Sequence, residues 1–217
     1  MSSVKRVVLV VVGLIALGAA PAAGQWLGMP VWNSPRGGTG VTISGDFGKP
    51  NDVYGGGTAW AGRASLGLGT LTLTAGVASY DSDSLIDRVT SWGGQADFRV
   101  IGGSLLPAAV SLQAGAARTS EVEGQAQTHV TGAVGFSVPL PTPGISLEPY
   151  FSPGIRYRNR GSSNGSSTQF GYAIGANASF GLLGVHVAYD NEKRKGGGSV
   201  GVLGLGLHVA LKLPMGM

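Results

Sequence analysis

The chain has 217 residues, of which 39 are glycine and none is cysteine, and its formal net charge at neutral pH is +4. Without cysteine it can form neither disulfides nor thiolate metal sites, and its apolar fraction of 43% is too high for a disordered chain. Two positive charges belong to an N-terminal segment that we predict to be removed, which leaves 13 basic against 11 acidic residues. That balance excludes the basic surface typical of nucleic-acid-binding proteins.

Residues 1–24 have the three parts of a secretory signal peptide. Lys5 and Arg6 form a basic start, residues 7–19 are an unbroken apolar run, and small residues follow up to Gly24. The apolar run is short for a membrane helix, which needs about 20 residues. We therefore predict export and cleavage near residue 24.

An irregular lead-in is predicted for residues 25–38, which contain two prolines and two tryptophans and show no clear period. From residue 39 to the end, polar and apolar residues alternate in a single all-β domain, residues 39–217. The last segment shows the pattern best, with one face made by Leu203, Leu205, Leu207, Val209, Leu211 and Leu213. Ten strands are predicted, at residues 39–48, 57–68, 70–80, 90–101, 108–118, 128–138, 145–158, 168–180, 183–190 and 199–213.

The lengths and the connections of these segments indicate a membrane barrel. Most segments reach ten residues, and a tilted strand needs about 9–11 residues to cross a bilayer. Long polar connections alternate with short ones such as residue 69 and residues 181–182. This alternation is typical of a single up-and-down antiparallel transmembrane β-barrel, for which we predict 10 strands, with 8 as the fallback.

The distribution of charge over the two strand faces supports the same fold. Arg118, at a loop end, is the one strand charge on the apolar face. The others, predicted to form a charged network in the lumen, are Asp46, Arg63, Asp97, Arg99, Glu148, Arg156, Arg158, Asp190 and Lys212. A charge on the lipid side at mid-bilayer costs about 2–4 kcal/mol, which explains the face without charges. A soluble β-sandwich is the alternative, but it does not explain the long strands.

Aromatic residues of the apolar face cluster near the long-loop ends of the strands. Amphipathic rings prefer the membrane–water boundary, so this cluster predicts an aromatic girdle. Its members are Phe47, Trp60, Trp92, Tyr157, Phe170, Tyr172 and Tyr189.

With this architecture, the chain resembles the small outer-membrane β-barrel proteins of Gram-negative bacteria. The resemblance implies an outer-membrane location, contact with outer-membrane lipids, and insertion by the assembly machinery that reads the last strand. That strand typically ends in an aromatic residue, whereas this chain ends with residues 213–217, LPMGM.

We expect a monomer with a structural, passive role and a narrow, charge-paired lumen, without enzymatic activity, cofactor, metal site or nucleic-acid partner. The first alternative is a narrow porin-like channel for small solutes or ions. In it the cations Arg63, Arg99, Arg156 and Arg158 would face the anions Asp46, Asp97 and Glu148.

An outer-membrane hydrolase is the second alternative. Asp81 and Asp83 follow the third strand, where omptin-like proteases place acid pairs, but no Asp–His pair stands at a loop end. Lipid A deacylase-like barrels use a His–Ser–Glu arrangement on the outer surface. The three histidines here, His129, His186 and His208, fall on the inward face, and we interpret them as polar groups of the lumen.

Overall fold

A computed structural model describes residues 26–30, 34–85, 87–102, 106–122, 125–160, 165–194 and 197–211. The predicted signal peptide and Lys212 lie outside these residues. The strands are β1 (Thr39–Pro50), β2 (Thr58–Leu68), β3 (Leu71–Asp81), β4 (Val89–Ile101), β5 (Ala109–Val122), β6 (Gln125–Ser137), β7 (Leu140–Thr142), β8 (Ile145–Asn159), β9 (Ser166–Phe180), β10 (Leu183–Lys193) and β11 (Ser199–Leu211). A short 3₁₀ helix, Asp52–Tyr54, follows β1.

Ten long antiparallel strands close into a barrel. Sequence neighbours pair with one another, β1 pairs with β11, and β6 pairs with β8, which completes the ring. The short β7 pairs with β8. The predicted ten-stranded up-and-down barrel is therefore confirmed. We call the edge that carries the longer connections, such as β1–β2 and β10–β11, the long-loop end, and the opposite edge the turn end.

Three strand regions differ from their sequence-based bounds. Residues 139–144, expected to be only a link, contain β7. Strand β10 continues to Lys193 instead of ending at Asp190, because residues 191–193 keep their pairing with β11. Strands β5 and β6 extend toward each other past a register shift between Arg118 and Glu121, which makes their connection shorter than expected.

The outer face of the barrel is apolar. Alternate residues of β11 from Leu203 to Leu211 are between 41% and 67% exposed, while Gly204 and Gly206 between them are buried. The same alternation continues around the ring, for example at Leu73 and Val77 of β3. Strand geometry causes it, because successive side chains point to opposite sides of a sheet.

Among the described residues, no helix is both long and apolar enough to cross a membrane.

The packed core lies inside the barrel. Trp26, Leu27 and Met29 of the lead-in are buried there together with Tyr80 and Tyr150. Small inward residues of the strands, such as alanine and glycine, leave the room that these large side chains occupy. The candidate functional site therefore lies in the lumen.

Candidate functional site: the barrel lumen

Residues 26–30, which we call the plug, fill the lumen in its long-loop half. The Trp26 indole Nε1 donates to the carbonyl oxygen of Gly76 at 2.9 Å, and the backbone N–H of Leu27 donates to Ser91 Oγ at 3.0 Å. Met29 is fully buried. A side chain at Gly48 would collide with the backbone of Gly28, so the glycine permits the close approach of plug and wall. Sequence reasoning recognised this segment as irregular but missed its position.

Tyr54, from the short helix after β1, covers the plug from the long-loop end. Its hydroxyl accepts a hydrogen bond from the backbone N–H of Gly28 at 3.3 Å, and its ring packs edge-on against Tyr80 with centroids 5.8 Å apart. The Arg158 guanidinium lies over the ring, 5.4 Å from its centroid. Burial raises the pKa of the Tyr54 phenol, so the side chain stays neutral at this position.

The second part of the lead-in, residues 34–38, lies near the turn end. Glu148 at the start of β8 accepts from Ser34 Oγ at 3.1 Å and from the backbone N–H of Arg36 at 3.3 Å. The Arg99 guanidinium donates to the carbonyl oxygen of Arg36. Two predicted network residues, Glu148 and Arg99, thus hold the lead-in.

Buried ion pairs account for most of the remaining network residues. Arg63 binds Asp46 through two hydrogen bonds of 2.5 and 3.0 Å. Arg156 binds Asp190 at 2.9 Å, and both side chains are almost completely buried.

Arg158 pairs with Glu192 at 2.6 Å. The sequence analysis missed Glu192, because it ended this strand at Asp190 and assigned the residue to a loop. Its position two residues after Asp190 on the same face is the signal that could have identified it.

Asp97 differs from the other acids of the network. It is buried, its Oδ2 accepts from Gln95 Nε2 at 2.7 Å, and its Oδ1 has no partner among the described residues. It lies on the wall of a cavity in the turn half of the lumen.

A polar cavity of about 600 Å³ occupies the turn half of the lumen. It extends to the turns at Gly69 and Gly181, and its walls carry Arg63, Asp97, Arg99 and Glu148. This volume lies within the range of small-molecule sites, about 300–1,000 Å³. We call it the turn-end cavity.

His186 and His208 also line this cavity and form a cluster with Asp46. His186 Nε2 lies 2.7 Å from Asp46 Oδ1, and the Nδ1 atoms of the two rings lie 3.2 Å apart. His208 Nε2 lies 3.2 Å from Ser179 Oγ. The sequence pattern did not predict this cluster, because Asp46 comes from the first strand and the two histidines from the last two. His129 is buried on β6 outside the lining of this cavity.

The acidic pair Asp81 and Asp83, considered above for a protease, makes its contacts at the long-loop end. Asp81 pairs with Arg88 at 2.9 Å, where both side chains are exposed, and Asp83 accepts from the backbone N–H of Gly57 at 2.7 Å. No group of three or more His, Asp or Glu residues suited to a metal ion occurs in the described part of the chain.

The predicted girdle residues are exposed or half-buried on the outside of the barrel. Trp60 is 64% exposed, and its ring packs edge-on against Phe47 with centroids 4.9 Å apart. The exposed members are Trp60, Trp92, Phe170 and Tyr189, and the half-buried ones are Phe47, Tyr157 and Tyr172.

No protein-family model matches the chain, and no curated protein matches it in sequence. Solved structures do match in fold. The β domain of the Bordetella autotransporter BrkA aligns with 80% of this chain and all of that domain, at 13% identity and a TM-score of 0.53. A bacterial polysaccharide outer-membrane secretin aligns with 80% of this chain, which spans 66% of that one, at 13% identity and a TM-score of 0.48. The outer-membrane protease OmpT from Escherichia coli aligns with 80% of this chain and 94% of its own, at 10% identity and a TM-score of 0.40. The likeness to the BrkA β domain, together with the closed ring of strands, shows that the chain has the fold of Gram-negative outer-membrane β-barrels.

Proposed function

We propose that this protein is a closed, non-conducting barrel of the Gram-negative outer membrane with a structural role, exported through a cleaved signal peptide. The apolar outer face supports the membrane location, because an outward apolar band around the ring is typical of barrels that contact lipid. In barrels of this kind the longer loops are extracellular and the tight turns periplasmic. The plug then lies toward the cell exterior, and the turn-end cavity opens toward the periplasm.

The plug is the observation that carries the proposal. Trp26 and Met29 are 1% and 0% exposed inside the lumen, and Tyr54 covers them from the long-loop end. Arg158, which pairs with Glu192, lies over the Tyr54 ring, and the Arg156–Asp190 pair joins the same two strands, β8 and β10. A solute that enters the turn-end cavity therefore meets packed side chains before it reaches the outside.

Planar-bilayer conductance tests this proposal directly. We expect purified wild-type protein to give no current steps above background, and a Trp26→Gly/Met29→Gly variant to give steps, because its lumen loses the two largest fully buried side chains of the plug. Trp60→Gly is the matched control, since Trp60 is a tryptophan on the outer face. It should remain closed.

Two results would contradict the closed barrel. Wild-type steps as large as those of the plug variant would instead support the porin-like channel. A plug variant that is folded, by its shifted mobility on unheated gels, yet silent would show that the plug is not the barrier. We also expect a monomer, which light scattering in detergent can measure.

A further inference from the structure

We propose that the turn-end cavity is a hydrolytic site, in which Ser179 is the nucleophile and His208 the general base for small, polar carboxylic esters. This goes beyond a structural role, and it departs from the sequence-based expectation of no enzymatic activity. The observation behind it is a chain of hydrogen bonds that ends at a hydroxyl group in the cavity wall.

The chain runs through four side chains from β9, β11, β10 and β1. Ser179 Oγ lies 3.2 Å from His208 Nε2, and His208 Nδ1 lies 3.2 Å from His186 Nδ1. His186 Nε2 lies 2.7 Å from Asp46 Oδ1. A nucleophile within about 2.6–3.2 Å of a base, with that base oriented by a third group, is the arrangement of an activated serine.

The carboxylate determines where the protons lie when both rings are neutral. Ionised Asp46 only accepts, so His186 carries its proton on Nε2 and leaves Nδ1 as an acceptor. His208 must then donate from Nδ1, which leaves its Nε2 lone pair for the hydroxyl proton of Ser179. All three hydrogen bonds are satisfied in one direction only, and that direction makes His208 a base for Ser179.

Arg63 keeps Asp46 in this ionised, accepting state. Its guanidinium binds both carboxylate oxygens. The 3.2 Å contact between Arg63 and His186 Nε2 is not a hydrogen bond in this tautomer, because both groups are donors. Because bidentate arginine–carboxylate pairs favour the charged carboxylate, Asp46 stays available to orient His186.

Two glycines provide the space for the histidine rings. A Cβ atom at Gly184 would collide with the His208 ring, and a Cβ atom at Gly206 would collide with His186 and Asp46. Each glycine lies directly opposite one of the histidines in the sheet: Gly184 opposite His208, and Gly206 opposite His186. Any larger residue at these two positions would displace the hydrogen-bonded chain from Ser179 to Asp46, which we call the relay.

The reaction also needs a donor for the oxyanion that forms when serine attacks a carbonyl, and we assign this role to Asn177. Asn177 lies two residues before Ser179 on the same strand, and both residues line the cavity. Its Nδ2 is buried and has no hydrogen-bond partner within the described ranges. An unused amide donor near the nucleophile stabilises the charge that develops in the transition state.

The cavity walls indicate the substrate class. The lining residues are polar, charged or glycine, except Leu182, Ala210 and Leu211. A long acyl chain would find no apolar wall there, whereas a short, hydroxylated or charged ester would find hydrogen-bond partners. Access from the turn end gives a soluble periplasmic ester a direct route to Ser179.

The reaction balances with water as the only co-reactant. Ser179 Oγ forms a bond to the carbonyl carbon, and its proton passes to His208 Nε2 and then to the departing alkoxide as the ester C–O bond breaks. Water then attacks the acyl-serine, gives its proton through His208 back to Ser179 Oγ, and releases the carboxylic acid.

The test uses the full-length protein folded in detergent, with a fluorophosphonate probe and p-nitrophenyl acetate. We expect the probe to modify Ser179, located by peptide mass spectrometry, and the ester to be hydrolysed. Ser179→Ala and His208→Gln should each lower turnover about 100-fold or more, as loss of a nucleophile or base does. p-Nitrophenyl palmitate should be a poor substrate.

Two control variants test whether turnover depends on the Ser179–His208 pair or on any polar residue of the barrel interior. Ser152→Ala changes a buried serine of β8 that does not line the cavity, and should keep full activity. Gly184→Ala keeps both reacting groups but displaces the His208 ring, and should lose activity. Gel mobility establishes folding for each variant.

His186 is a positioning residue, so its test needs a readout that a structural role would not change. We expect His186→Gln to lower kcat while KM stays within about two-fold, because substrate contacts remain and only the orientation of His208 is lost. An unmodified wild-type Ser179, or equal turnover by wild type and Ser179→Ala, would overturn the proposal. Neither result would affect the conductance test of the closed barrel.

Discussion

The two halves of the lumen are built on the same inward strand faces, but they are filled differently. In the long-loop half, the plug residues Trp26 and Met29 pack against Tyr80 and small strand residues such as Ala59. In the turn half, the lead-in only lines the wall, and a cavity of about 600 Å³ remains beside it.

This contrast shows that strand alternation alone does not decide whether a small barrel is closed. Inward positions of both halves are rich in small and polar residues, so the strands by themselves leave space throughout. A segment outside the sheet fills that space in one half. In the other half, Arg63 and His186 both bind Asp46 and make a hydrogen-bonded wall instead.

The two halves of the lumen should differ most in how much stability they lose when one buried arginine is removed from each. Arg156→Met removes the cation that pairs with the buried Asp190 carboxylate, which should lower the free energy of unfolding by about 3–5 kcal/mol. Arg63→Met beside the cavity leaves Asp46 with its hydrogen bond to His186, so we expect about 1–3 kcal/mol. Urea unfolding in lipid vesicles measures both.

The double variant Arg156→Met/Asp190→Leu is the control for this pair. It removes both buried charges and should recover most of the loss. If the two single variants cost the same, the halves of the lumen do not differ in how they hold charge.

Truncating Trp26 tests how much the plug in the long-loop half contributes to stability. Trp26→Ala removes a side chain that is 1% exposed and should cost about 3–5 kcal/mol of unfolding free energy. Trp60→Ala, on the outer face, loses its edge-on contact with Phe47 and should cost about 1 kcal/mol. Equal costs would mean that the plug adds little to the stability of the barrel.

On the outer face, the cost of a substitution should depend on its depth in the bilayer and not on which half of the lumen lies behind it. Leu205→Arg, in the middle of β11, should cost about 2–4 kcal/mol, and Leu211→Arg, at the turn end, about 0–1 kcal/mol. The same unfolding measurements apply. A mid-strand arginine without cost would contradict a lipid-facing surface.

The sequence by itself determined the barrel, because a period of two and the sorting of charge to one face are local patterns. The ten strands were predicted with small boundary errors, and Asp46, Arg63, Arg156 and Asp190 were assigned to the inner face. Glu192 was missed where the end of a strand was placed too early.

The tertiary structure alone decided what fills the lumen and which inward residues meet. The position of Trp26 depends on space left by several strands at once, which no local pattern reveals. Likewise, Ser179, His208, His186 and Asp46 come from four strands, and only the register and closure of the barrel bring them together. The alternation along a strand predicts whether a side chain points into the lumen or toward lipid. The closure of the barrel determines which other side chains it meets there.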